Sequence, residues 1–108
     1  MRESKYYKIK IAVPVKYADK IRKAINDAGG SRQGSYDFSS GSYLAMGRFR
    51  PLKGARPFIG KKGRIERVRE EVIEVLCHKD KLKGVIAAIK KVHPYEEPAI
   101  DIIKRYEI

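Results

Sequence analysis

The stretch His93-Pro94-Tyr95-Glu96-Glu97-Pro98-Ala99-Ile100-Asp101 marks where one kind of structure ends and another begins. Each proline biases the residue before it away from the α region, so a helix reaching this point stops near Val92 and a strand starts near Ala99. Upstream, Leu82, Val85, Ile86, Ile89 and Val92 recur at helical spacing and predict a helix over about Asp80 to Val92. Downstream, Ile100, Ile102 and Tyr106 alternate as in a half-buried strand. Between the two, an imidazole, a phenol and two carboxylates crowd into one turn at the end of a sheet.

The same succession of strand and helix opens the chain. Tyr7, Ile9, Ile11 and Val13 alternate with Tyr6, Lys8, Lys10 and Ala12, predicting a strand over Lys5 to Pro14. Ala18, Ile21, Ala24, Ile25 and Ala28 then fall on one stripe of a helix that Gly29-Gly30 ends. A long, irregular strand is expected over Gln33 to Arg50, a loop punctuated by Pro and Gly over Pro51 to Gly63, and a third strand over Val68 to Cys77. The resulting order, β-α-β-β-α-β, predicts an α+β ferredoxin-like sandwich, with the first strand between the third and fourth and both helices on one face. The other face would carry Lys8, Lys10, Ala12, Glu74, Leu76, Ala99, Asp101 and Ile103, a mixture of charge and apolar surface that points to self-association.

At 108 residues the chain is expected to form one domain over 1–108. No stretch has the length of a membrane span, no signal peptide is visible, and the single Cys77 excludes an internal disulfide, so a cytoplasmic protein is expected. The net charge of +12 is concentrated. Between Arg48 and Arg69 nine basic residues face one acid, Glu66, which makes this segment +8 and a candidate patch for an anion or a nucleic acid, with Lys61, Lys62 and Arg64 at its centre. Gly54 to Lys62 is not a P-loop: the glycine spacing is wrong, and no Ser or Thr follows the lysine. A divalent metal at His93 with Glu96 would be held weakly, and no other cofactor is indicated. Glu96 and Glu97 are adjacent and point apart in extended chain, and the serines lack a nucleophile-elbow context, so no catalytic constellation is present.

Three stretches carry a resemblance: Gly34 to Asp37, Gly47-Arg48-Phe49-Arg50-Pro51-Leu52-Lys53-Gly54-Ala55-Arg56-Pro57-Phe58-Ile59-Gly60, and the turn from His93 to Asp101. In order and spacing they resemble the inserted middle domain of the Nif-three-like family, a domain similar to CutA and the PII signalling proteins. The resemblance implies a CutA/PII-like fold, usually a trimer packed through the open sheet faces, and a non-enzymatic regulatory or ligand-binding role. The metal-dependent halves of those proteins have no counterpart here, so no catalytic residue transfers. An unknown small ligand is expected in a cleft walled by His93, Tyr95, Glu96 and Glu97, with Arg48 and Arg50 reaching in. Where this chain has Lys53, Arg56, Lys61 and Lys62 the family frequently has acids or neutral residues, so the positive loop is a departure from it.

Overall fold

Alternation of apolar and polar residues, switching twice to a helical period, builds a four-stranded antiparallel sheet under two helices. A computed structural model describes all residues, 1–108. The elements are β1 (Arg2–Glu3), β2 (Tyr6–Pro14), α1 (Ala18–Asp27), β3 (Gly41–Phe49), β4 (Glu66–His78), α2 (Leu82–Val92), β5 (Ile100–Ile103) and β6 (Tyr106–Glu107). A single 3-10 turn leads into each helix, Val15–Tyr17 and Lys79–Lys81. The sheet order is β3-β4-β2-β5, so the first long strand lies between the third and the fourth as the pattern predicts.

The core is the meeting of four apolar rows. Ile9, Ile11 and Val13 of β2 and Ile73, Val75 and Cys77 of β4 point to one face of the sheet. Ala18, Ile21 and Ile25 of α1, with Val85 and Ile89 of α2, cover them. Burying a side chain of this size contributes roughly 1.5–3 kcal/mol, so these rows dominate the stability of the fold. Two stops fix the helices. Gly29 takes φ +102, and the Gly30 N–H donates to the Ile25 carbonyl at 2.9 Å, closing α1 with a left-handed cap. His93, extended ahead of Pro94, ends α2.

Two expected strands are shorter in the structure. Residues 33–40, expected to be extended, form a loop because the buried Asn26 side chain reaches out of α1 and accepts the Phe38 N–H at 2.9 Å. The last strand breaks after Ile103: Tyr106 and Glu107 turn away and pair with Arg2 and Glu3 in a separate two-stranded ribbon.

Candidate functional site

Three segments far apart in sequence meet beside Ala12 of β2. The first is the proline-bracketed turn. His93 is buried, and its Nε2–H donates to the Ala12 carbonyl at 2.8 Å while Nδ1 accepts the Tyr95 N–H at 3.1 Å. The ring therefore pins the turn to the sheet. With both nitrogens engaged, no lone pair faces a metal ion. His93 and Glu96 belong to no group of three or more potential metal-ligating residues. Burial lowers the His93 pKa, opposed by the bond to Ala12 and the charge of Glu70.

The second segment is the β3–β4 hairpin. Glu70 of β4 stands opposite Ala45 and Pro14 and is only 8% exposed. Its Oε2 accepts the Tyr95 hydroxyl at 2.8 Å, and it pairs with no cation. Gly47 makes room for it, since a Cβ there would collide with the carboxylate. Burial pushes the Tyr95 phenol upward, with the hydrogen bond to Glu70 and its charge adding to the shift. Phe49 meets the Tyr95 ring edge-on, centroids 5.9 Å apart.

Residues 50–65 form the third segment, a loop laid across the end of the sheet. The Arg56 N–H donates to Glu96 Oε1 at 3.1 Å, and Phe58 rests edge-on against Tyr17 at 5.5 Å. Together the three enclose a cavity of about 560 Å³, with Phe49, Pro51, Leu52, Pro57, Phe58 and Ile59 as apolar wall and Glu70, Tyr95, Glu96, Glu97 and Arg50 as polar groups. A larger and more polar groove, about 690 Å³, lies at the 33–41 loop. Its Lys8 is already paired with Glu74 at 3.0 Å.

Of the residues singled out in the sequence, Tyr95, Glu96, Glu97 and Arg50 come together here. His93 supports the turn from behind. Arg48 borders the cavity, but strand alternation sets it on the face opposite Gly47 and Phe49. Lys61, Lys62 and Arg64 lie exposed in the loop outside the cavity. Glu70 escaped the sequence reading: one acid in a charged strand, it becomes distinctive only when Gly47 and Tyr95 are brought against it.

No protein-family model matches the chain. The GTP cyclohydrolase 1 type 2 homolog of Halalkalibacterium halodurans is 40% identical over 96 residues, 89% of this chain and 26% of that protein. The Bacillus subtilis protein of the same name is 42% identical over 95 residues, 88% of this chain and 26% of that one. Among solved structures, a Bacillus cereus protein related to NIF3 superposes with a TM-score of 0.81 at 34% identity, covering 98% of this chain and 26% of that chain. The chain resembles the CutA/PII-like domain of NIF3-related proteins. At the level of fold alone, the periplasmic divalent cation tolerance protein CutA of Archaeoglobus fulgidus matches with a TM-score of 0.64 at 20% identity, over 91% of this chain and 81% of that one. This CutA-like chain spans about a quarter (26%) of the length of the curated relatives it matches. No helix in it is long and apolar enough to cross a membrane.

Proposed function

We propose that this chain is a non-catalytic, oligomeric ligand-binding module of the CutA/PII type, with the cavity over Glu70 as its ligand site. The observation that carries the reading is the state of Glu70. A carboxylate this deeply buried is ordinarily matched by a cation or by several donors, and this one has a single tyrosine hydroxyl. It borders a cavity within the size range of small-molecule sites, and the walls are mainly apolar. A ligand with an apolar body and a hydrogen-bond donor or positive charge directed at Glu70 completes the arrangement. Tyr95 holds the carboxylate in place, and Glu96 holds the loop that closes the site. The buried, unpaired Cys77 supports a reducing, cytoplasmic setting for the module.

The test is a thermal-shift screen of small amines and of compounds that copurify in native mass spectrometry. A ligand at a hundred times its Kd stabilises by about 2.7 kcal/mol, a shift easily read in a domain of this size. Glu70→Gln and Tyr95→Phe should each abolish the response while the protein still melts cooperatively. A response that survives in Glu70→Gln overturns the assignment.

A further inference from the structure

The β3–β4 hairpin outruns the helices above it. β4 has 13 residues, about 43 Å of strand at 3.3 Å per residue, in a molecule whose longest extent is 47 Å. Arg22 of α1 pairs with Glu71. From there toward the loop, the face that the helices cover at Ile73, Val75 and Cys77 lies open. Its rows are Met46 opposite Arg69 and Arg48 opposite Arg67, all four exposed.

This pairing is unfavourable in the isolated chain. Like charges directly opposite on neighbouring strands repel. None of Arg48, Arg67 and Arg69 pairs with a carboxylate. Glu71, on the same face, is occupied by Arg22, and alternation sends Glu66 and Glu70 to the other side. Three guanidinium groups thus share one uncovered surface with no internal anion. Guanidinium forks match phosphate oxygens in pairs of hydrogen bonds, so an external phosphate relieves the repulsion and uses the geometry at once.

We propose that the uncovered face of the hairpin, Arg48, Arg67 and Arg69, binds the phosphodiester backbone of a nucleic acid. A two-stranded ribbon is narrow enough to enter a duplex major groove, and Arg67 and Arg69, about 6.6 Å apart along the strand, also suit successive phosphates of an extended single strand. Tyr43 and Phe49 point to the opposite face, so base stacking contributes nothing. Binding is therefore indifferent to sequence and steeply dependent on salt. The sequence singled out the whole basic segment from Arg48 to Arg69 for this role, with Lys61, Lys62 and Arg64 at its centre; the proposal places it on the strand residues at the two ends of that segment.

Fluorescence anisotropy of the full chain with labelled oligonucleotides, single-stranded and duplex, tests this. Each phosphate contact adds a slope in log K against log salt of roughly 0.7 on single strands and 0.9 on duplex, so R48Q/R67Q/R69Q should lower the slope by about two to three units. Arg67→Gln alone should lower it by about one unit, and the ratio of the two affinities at one salt concentration identifies the preferred strand state. The triple variant should melt at or above the wild-type temperature, because the repulsion is gone. The loop variant K61Q/K62Q/R64Q should keep at least half the wild-type slope. The proposal is overturned if wild type binds neither oligonucleotide at ~50 mM salt, where backbone contacts are strongest. It is equally overturned if the face variants keep the full slope, or if the loop variant loses as much as the face triple.

Discussion

Both ring nitrogens of His93 are satisfied only while the ring is neutral: protonation at Nδ1 would turn an acceptor toward the Tyr95 N–H into a donor. Burial works in the same direction, holding its pKa below the ordinary 6.5. An unfolded chain then takes up this proton before the folded one does. The contribution to stability is complete above about pH 6.5 and falls as the pH drops from there toward the depressed folded value. An NMR titration should place the His93 midpoint below 6.5, with stability to urea declining as the pH falls below about 6.5; a midpoint above 6.5 would contradict the geometry. Composition showed that His93 and Tyr95 share a turn with two acids, but not which way each would face. The inward turn of His93 depends on a carbonyl 81 residues away, and the importance of Glu70 depends on Gly47 and Tyr95. Contacts of that range leave no local periodicity to read.

Periodicity did fix the elements wherever burial is one-sided, as in β2, β4 and both helices. It failed over residues 33–40, where the Asn26 side chain replaces a strand partner. The helices also show a position left unoptimised. Gly84 sits inside α2, is exposed, and a Cβ there would meet nothing within 4 Å. Glycine in a helix interior costs about 0.5–1 kcal/mol relative to alanine through backbone entropy. Gly84→Ala should raise the unfolding free energy by that amount, read as a higher urea midpoint at an unchanged m-value. A loss of stability would mean that α2 needs freedom at this point, which the packing of Val85 and Ile89 does not suggest.

Across the whole sheet, the face away from the helices is organised in rows: Glu74, Lys10 and Asp101 side by side, then Leu76, Lys8 and Ile103. This face was legible from alternation once the strand order was assumed. Its charges alternate in sign across the strands, and Leu76 and Ile103 supply apolar surface, which supports the proposal that copies of the chain assemble here, as trimers. Sedimentation should then give a wild-type mass near 37 kDa, three times 12.4 kDa. Leu76→Glu, by placing an unpaired carboxylate in the contact, should weaken assembly by several kcal/mol and leave a monomer. A wild-type monomer at high concentration would end the idea. The ribbon of β1 and β6 was not legible, because four residues carry too little pattern, yet it has a mechanical consequence. Arg2 opposes Glu107, the Ser4 N–H bonds the Arg105 carbonyl, and Lys8 to Ile11 pair with Ile103 to Ile100. Tension applied between the two ends would load these bonds one after another, as in opening a zip, and peel β5 from β2 before the interlocked middle strands feel any force.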